Sequence, residues 1–416
     1  MDQVRGITDL LPELQDPQTE FCLLRSCLSL PKIMFLLRSV DTCAHRHLLA
    51  QFDLITREAL GRILGAPVSD LQWRQSKLPI SLGGMGLRAS MDHGAAAYTT
   101  SYLQSQSMID QLLRTRDDEA QLLLSTALAT LSIQLGEETT VESLTGMTQK
   151  MVSTKIDLNS QSLLSPEREV ARLASLSLPQ AGAWLYCPPL PALGLHLRGS
   201  EFVVAAKFRL GMPVYDREGK CPACGKDSDI LGDHGLVCGY GGERNSRHNA
   251  IRDALHDTAA AAGLAPQKEG RALLPGNDRR PADVFIPRWA GGRDAALDVT
   301  VTHPLLAAFR ARAATEPGYA MAQAYNNKMR VTADLCNAQG ISFIPVVAES
   351  TGGWHKIAME QLKKLGSALV RHTGQMEGET IAHLITRVSV QLQKGLSAMI
   401  LNRIPSHAAP VVGGVQ

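Results

Sequence analysis

The stretch 221-CPACGKDSDILGDHGLVC-238 decides the middle of the fold, because it places four potential metal ligands within eighteen residues. The ligands follow a C-x2-C-x9-H-x3-C spacing. Two of them lie on a tight turn and two are one helical turn apart, so together they can close a tetrahedron around a borderline-soft ion. Unrelated buried cysteines beside a histidine are the alternative. We predict a structural Zn²⁺ site formed by Cys221, Cys224, His234 and Cys238.

A second informative stretch follows, 279-RRPADVFIPRWAGGRDAALDVTV-301. Two apolar runs flank a Gly-Gly turn, and this pattern predicts neighbouring strands of a hairpin. Each strand carries one aspartate, Asp283 or Asp298. Burying a lone carboxylate in an apolar strand is costly, so two that face each other indicate a shared cation. The alternative is that they cap turns or pair with Arg280 and Arg293.

These two stretches, with 247-RHN-249 between them, resemble the C-terminal end of non-LTR retrotransposon proteins that carry a restriction-like endonuclease. That family places a Cys-Cys-His-Cys zinc knuckle just before a PD-(D/E)xK nuclease fold. The resemblance implies an α+β chain with an N-terminal helical bundle, a zinc knuckle and an α/β core with a mixed sheet. It implies a retroelement-derived DNA endonuclease that nicks target DNA. An alanine separates Pro281 from Asp283, and Thr300 stands where the family has a lysine.

The resemblance also implies a set of catalytic residues. Asp283 and Asp298 would hold the catalytic Mg²⁺, an ion that prefers oxygen ligands, and the carbonyl of Val299 would add a third oxygen. Thr300 cannot supply the positive charge of the missing lysine. Lys328, on a predicted helix, is the candidate replacement, because related endonucleases have this lysine displaced onto a helix. A surface lysine that packs its stem along the helix is the alternative.

Two further residues have more than one interpretation. Glu269 either completes the metal ligand set or is a solvated strand residue. His248 could orient phosphate, bind zinc or simply pack. The sequence alone leaves these alternatives open.

The charge of the chain gives no overall sign of nucleic-acid binding, since the formal net charge is only +2 over 416 residues. Any such binding must come from local basic groups. The partner that the resemblance implies is DNA, with RNA as a second candidate. The phosphate contacts are assigned to Arg244, Arg247, Arg252, Arg279 and Arg280.

The cysteines outside the proposed zinc site are scattered, which favours reduced thiols over a disulfide framework. No apolar run approaches the roughly 18 residues of a membrane-spanning helix. We therefore expect an intracellular protein without a membrane partner, and a nuclear address would fit the resemblance. The sequence does not indicate an oligomeric state.

The pattern along the chain predicts several regions. The glycine-rich segment 78–88 lacks the lysine and the Ser/Thr of a P-loop and resembles the segment after a reverse transcriptase palm. The only adjacent aspartates, Asp117 and Asp118, fall in a helical stretch, so we expect no polymerase palm and no reverse transcriptase activity. The predicted regions are a helical thumb-like domain (1–154), a Pro/Gly/Ser-containing bridge (155–200), a helix with the knuckle (201–245), the nuclease core (246–375), a C-terminal helix (376–404) and a disordered tail (405–416).

Two other interpretations stay open. The unusual lysine position and the absent palm favour a catalytically inactive nucleic-acid-binding remnant of a retrotransposon protein. A nonfunctional relic of a mobile element is the third interpretation. The chain resembles the last portion of a longer retroelement protein or a host-encoded remnant of one.

Overall fold

The structure is a computed structural model that describes residues 1–40, 42, 45–113, 118–162, 167–270, 273–274 and 280–412. The chain folds as two compact units, Met1–Ser165 and Pro166–Val412. It is a mixed α/β protein in which 62% of the residues are helical. Among the described residues, no helix combines the length and the apolar character that crossing a membrane requires.

The described regular elements of the first unit are all helical. Asp53, buried on the fourth helix, accepts hydrogen bonds from the backbone N–H groups of Ser90 (2.7 Å) and Met91 (3.0 Å) and so caps the sixth helix. The fourth helix ends at Gly65, which has a φ of 63°. The helices are α1 (Asp2–Asp9), α2 (Pro17–Leu23), α3 (Leu30–Ser39), α4 (Arg46–Leu64), α5 (Asp70–Lys77), α6 (Ser90–Leu113), α7 (Asp118–Leu135), α8 (Val141–Leu144) and α9 (Gln149–Ser162), with a π-helix at Leu24–Leu28.

The second unit contains the strands as well as helices. It begins with α10 (Glu167–Leu176) and α11 (Gly199–Leu210), and a small hairpin then leads into the main sheet. The remaining elements are β1 (Gly219–Lys220), β2 (Asp227–Ser228), α12 (Asp233–Val237), α13 (Glu243–Ala261), β3 (Gln267–Lys268), β4 (Val284–Ala290), β5 (Arg293–Thr302), α14 (Ala307–Thr315), α15 (Tyr319–Asn337), β6 (Ile341–Glu349), α16 (Lys356–Thr373) and α17 (Glu377–Leu401).

The main sheet has the strand order β3-β4-β5-β6. Strands β3, β4 and β5 are antiparallel neighbours, whereas β6 runs parallel to β5 after a crossover through α14 and α15. Gly291 and Gly292, with φ values of 59° and 79°, form the turn between β4 and β5. The predicted hairpin and mixed sheet are therefore confirmed.

The sheet buries both of its faces. On one face, apolar residues such as Val284 and Leu297 pack in a core with residues of α13, α16 and α17. On the other face, Phe285, Ala296 and Phe343 pack with residues of α15. Successive strand residues point to opposite faces, so the register decides which side chains meet under α15.

Two regions add detail to the sequence expectation, and the second of them differs from it. The segment 155–200 contains the end of α9, all of α10 and two 3-10 turns, so much of this Pro/Gly/Ser-containing region is helical. The first part of the expected disordered tail is bound to the hairpin region. There the N–H of Ser406 donates to the Lys220 carbonyl (2.9 Å) and the N–H of Val411 to the Val214 carbonyl (3.0 Å). The last four residues of that tail lie outside the described residues.

Candidate metal centre and acidic site

The four ligands predicted from the first stretch come together. The ligating atoms of Cys221, Cys224, His234 and Cys238 all lie within 4.8 Å of one another. Cys224 Sγ is 3.3 Å from His234 Nε2. Three thiols and one imidazole at this spacing form a donor set that could bind zinc.

Local hydrogen bonds explain why this short stretch folds into a cluster. The N–H of Cys221 donates to the Lys226 carbonyl (2.8 Å), which closes the turn between β1 and β2. Asp229 then accepts hydrogen bonds from the N–H groups of Leu231 (2.9 Å) and His234 (2.9 Å). These bonds fix the start of α12 and hold His234 toward the cysteines. The cluster is therefore organised by its own residues and a few neighbours.

A buried arginine from near the C-terminal end of the second unit donates a hydrogen bond to Cys238 of the cluster. Arg403 lies just after α17, is 4% exposed and pairs with Glu243 at 2.6 Å. Burial opposes ionisation of Cys238, but hydrogen bonds from the Tyr240 N–H and from Arg403 outweigh it and lower the pKa of this thiol. The sequence analysis missed Arg403, because it is far from the cluster in the chain.

The hairpin brings the two aspartates to the same end of the paired strands. Val284 pairs with Leu297 and Phe285 with Ala296, and the paired register ends there, with Asp283 just before β4 and Asp298 next to Leu297 on β5. Beyond this pair the ladder is irregular, because the Asp283 N–H donates to the Leu297 carbonyl (2.8 Å). The Asp283 side chain accepts a hydrogen bond from the N–H of Val299, the residue after Asp298, so its carboxylate lies beside this part of β5.

Asp283 is held by two neighbours. Its Oδ2 accepts a hydrogen bond from the Val299 N–H (2.6 Å), and its Oδ1 lies 3.1 Å from His248 Nε2. The hydrogen bond to Asp283 raises the pKa of His248 and so favours the imidazolium. Of the alternatives left open for His248, contact with the acidic site is the one that the geometry favours.

Asp298 is paired with the lysine of α15. Lys328 Nζ lies 3.1 Å from Asp298 Oδ1 and 2.9 Å from Oδ2. Burial raises the pKa of Asp298, and Lys328 opposes this shift. Asp298 also feels the charges of Asp283 and His248, so the four groups form one electrostatic cluster. The lysine side chain keeps 41% of its surface exposed, which leaves it room to move.

Glu269 lies next to the acidic site, because its N–H donates to the Asp283 carbonyl (2.9 Å), and its side chain is held by two arginines. Arg252 Nη1 contacts its Oε1 (2.6 Å), and Arg280 Nη1 contacts its Oε2 (3.2 Å). Both carboxylate oxygens are therefore engaged by guanidinium groups. The side chain keeps 46% of its surface exposed, so Glu269 is a partly solvated residue in ion pairs with arginines, and a role as a metal ligand stays a prediction.

The arginines expected to contact phosphate do not share one environment. Arg247 is 5% exposed and packs against α17, where its Nη1 lies 3.2 Å from Met399 Sδ. Burial lowers its pKa to about 10. A phosphate contact does not fit this buried guanidinium. Arg244 is exposed and donates to the Val237 carbonyl (3.2 Å), and Arg279 lies outside the described residues.

The cluster of Asp283, Asp298, His248 and Lys328 combines two carboxylates with an ammonium group and an imidazole near the start of β4. Such a set can bind a cation between the acids or an anion beside the cations. A scan against protein-family models gives no match, and neither does a search of the curated proteins.

Proposed function

We propose that this chain is a magnesium-dependent DNA endonuclease of the PD-(D/E)xK type, similar to the C-terminal part of non-LTR retrotransposon proteins. Its reaction would be the nicking of target DNA. The observation that carries the proposal is that the Asp283 carboxylate accepts a hydrogen bond from the residue after Asp298 (Val299 N–H, 2.6 Å), with Lys328 of α15 at 2.9 Å from Asp298. Thr300 stands where the family has a lysine, and in this proposal Lys328 supplies that positive charge from α15.

The residues at this site fit a hard divalent ion. Mg²⁺ prefers carboxylate oxygens, and Asp283, just before β4, and Asp298, on β5, supply these. Each carboxylate oxygen has a second lone pair, so the hydrogen bond from Val299 to Asp283 does not exhaust that group. When bound, Mg²⁺ would lower the pKa of a water molecule and stabilise negative charge on the phosphate.

The protein's own residues have separate tasks in this proposal. Lys328 would leave Asp298 for the scissile phosphate and neutralise charge that builds there, a contribution that a half-exposed side chain can make. His248 would orient Asp283 through the 3.1 Å contact. Arg280 and Arg252, linked through Glu269, would contact phosphates next to the site.

We further propose that the Cys3His cluster is a structural zinc knuckle. All four positions would be occupied by protein ligands, which is typical of structural sites. The cluster immediately precedes α13, the helix that carries His248, and Arg403 ties it to the end of α17. Zinc would thereby fix the start of α13 relative to the acidic site.

A plasmid-nicking assay tests the proposal. The purified wild-type chain with Mg²⁺ should convert supercoiled plasmid to nicked circles, and the Asp283→Ala variant should not. Asp334→Ala is the matched control, because Asp334 is an exposed aspartate on α15. Absence of nicking by the wild type, or equal nicking by wild type and Asp283→Ala, would refute the endonuclease.

A second candidate function is nucleic-acid binding without cleavage. The observation that favours it is the pairing of each aspartate with a cation of the protein itself, Lys328 or His248. Such pairing can stabilise a fold without any catalytic ion. Salt-sensitive DNA binding, with no cleavage in the presence of any divalent ion, would select this candidate.

A further inference from the structure

The first unit contains a cavity with a concentration of positive charge. Its volume is about 320 Å³, and it is lined by the π-helix, α3, the glycine-rich segment and α9. Four cationic side chains lie on its wall, whereas none of the described residues that line it is acidic. These cations are Arg25, Arg38, Arg88 and Lys150. The net charge of the whole chain is only +2, so four cations around one cavity form a local excess of positive charge that attracts an anion.

Neighbouring groups hold two of these arginines in place. Arg38 Nε donates to Gln149 Oε1 at 2.8 Å, which links α3 to α9. Arg88 Nε donates to His93 Nε2 at 3.2 Å, and the same guanidinium pairs with Asp157. Burial lowers the pKa of His93 well below its usual value, so the ring is neutral and can accept this hydrogen bond. Asp157 balances part of the Arg88 charge, so we assign the phosphate to the other cations of the wall.

The glycine-rich segment contributes backbone shape to the cavity. Gly86 has a φ of 76°, and a Cβ at this position would lie 3.4 Å from Arg25 Cδ. The glycine lets the chain turn sharply next to the arginine. This segment lacks the lysine and the Ser/Thr of a P-loop, and the positive charge of the cavity comes from the arginine and lysine side chains of its wall.

One part of the cavity wall is apolar. It is formed by Leu30, Pro31 and Met34, from the start and middle of α3. The cavity volume falls at the lower end of the range of about 300 to 1,000 Å³ found for small-molecule sites. A bare inorganic anion would leave the apolar wall uncovered. A ligand with both a phosphate and a flat ring would use both kinds of surface.

We propose that this cavity binds a nucleotide phosphate, with the phosphate between Arg25, Arg38 and Lys150 and the base against Leu30, Pro31 and Met34. Arginine and lysine donate charge-assisted hydrogen bonds to phosphate oxygens, and apolar side chains accept the face of a base. The ligand is either a free nucleotide or the phosphorylated end of a nucleic-acid strand. The site belongs to the first unit, and it does not depend on the endonuclease proposed for the second.

Calorimetric titration of the full chain with AMP at low salt tests this site, with adenosine as the ligand that lacks the phosphate. We expect AMP to bind at least about tenfold more tightly than adenosine. The Arg38→Gln/Lys150→Gln variant should lose at least about tenfold in AMP affinity. The matched control is Lys32→Gln/Arg46→Gln, which removes the same charge from exposed cations outside the cavity and should stay within about twofold.

A 5′-phosphorylated single-stranded oligonucleotide distinguishes the two sources. Displacement of AMP by this strand assigns the site to nucleic-acid ends, and AMP binding without displacement assigns it to a free nucleotide. Circular dichroism of both double variants should match that of the wild type. The proposal is overturned if neither AMP nor the strand binds, if AMP and adenosine bind equally, or if the two double variants lose affinity equally.

Discussion

Asp298 and Glu349 are carboxylates on the same face of one sheet, yet their surroundings differ. Asp298 pairs with Pro345 across β5 and β6, and Glu349 lies four residues further along β6, so both side chains point toward α15. Glu349 is fully buried and is hydrogen-bonded by the hydroxyl of Ser175. The Asp298 side chain keeps 14% of its surface exposed and lies beside an ammonium group.

The difference teaches that the partner groups, and not the strand or the residue type, decide what a carboxylate on this sheet can do. Burial raises the pKa of Glu349. The hydroxyls of Ser175 and Thr351 donate to its Oε2, whereas its buried Oε1 has no hydrogen-bond partner among the described residues, and no second carboxylate or ammonium group stands beside it as at Asp298. Asp298 faces a second carboxylate, Asp283, and has cations within reach. Of these carboxylates, Asp283 and Asp298 form a pair that one divalent ion can bridge, whereas Glu349 has no such second carboxylate beside it among the described residues.

The largest effect that separates these two carboxylates concerns catalysis. Asp298→Ala should lower the plasmid-nicking rate by at least about 10³-fold, because it removes half of the proposed ligand pair. Glu349→Gln should leave the rate within about threefold of the wild type, since Glu349 holds no proposed role in the reaction. Both rates are measured with Mg²⁺ at the same protein concentration. Similar losses in the two variants would show that Asp298 and Glu349 do not differ in their role in the reaction.

The Cys3His cluster offers thiolates, which prefer softer metal ions than the carboxylates of Asp283 and Asp298 do. Cys238→Ser should abolish stoichiometric zinc binding, measured by metal analysis of the purified chain. It should also remove about 4 kcal/mol from the unfolding free energy of the second unit when free zinc is about 1,000-fold above its Kd. Cys27→Ser, at an exposed cysteine of the first unit, is the control and should keep its zinc. Full zinc content in Cys238→Ser would contradict the structural knuckle.

A smaller effect is expected at Lys328, which distinguishes the surroundings of Asp298 from those of Glu349. Lys328→Met should lower the nicking rate by about 10²-fold, because a positioned cation that stabilises phosphate charge is lost. Arg330→Met removes the same charge from an exposed residue of the same helix and should change the rate little. Nicking at wild-type rate by Lys328→Met would show that the ammonium only balances Asp298.

The smallest expected effect concerns stability and pH at Glu349. Its pKa is raised in the folded chain, so the stability that it contributes is full below its unfolded pKa and is lost as the pH rises through the raised value. Glu349→Gln stays neutral, so it should be more stable than the wild type at pH 8 by about 1 kcal/mol, with a difference that shrinks toward pH 4. Urea unfolding across this range measures it. A constant difference would mean that Glu349 does not titrate as described.

The sequence predicted most where the signal was local. The Cys3His cluster spans eighteen residues, and the hydrogen bonds that shape its turn and the start of α12 are made within that span, so spacing alone was sufficient to predict it. The β4–β5 hairpin was predictable for the same reason, because two apolar runs flank a Gly-Gly turn. Once the hairpin is formed, it brings Asp283 and Asp298 to the same end of the paired strands without any further information.

The long-range parts of the site were harder to predict. Lys328 was named only through a family resemblance, and whether it reaches Asp298 depends on how α15 packs over the sheet. Arg403 and Glu349 were missed, since their partners lie far away in the chain. Arg247 has the same charge as its exposed neighbours, but it packs so tightly that a Cβ at Gly395 would lie 2.3 Å from its Cγ. Composition cannot distinguish such a buried arginine from a solvated one.

The central claim is that Asp283 and Asp298 share one divalent cation, and anomalous diffraction tests it most directly. Crystals of the chain soaked in MnCl2 should show one anomalous peak between these two carboxylates, and crystals of Asp283→Asn/Asp298→Asn should lack it. Manganese replaces magnesium at oxygen sites and scatters anomalously, so it reports the position of the ion. A wild-type crystal with no peak between the two aspartates, or a peak that persists in the double variant, would contradict the account.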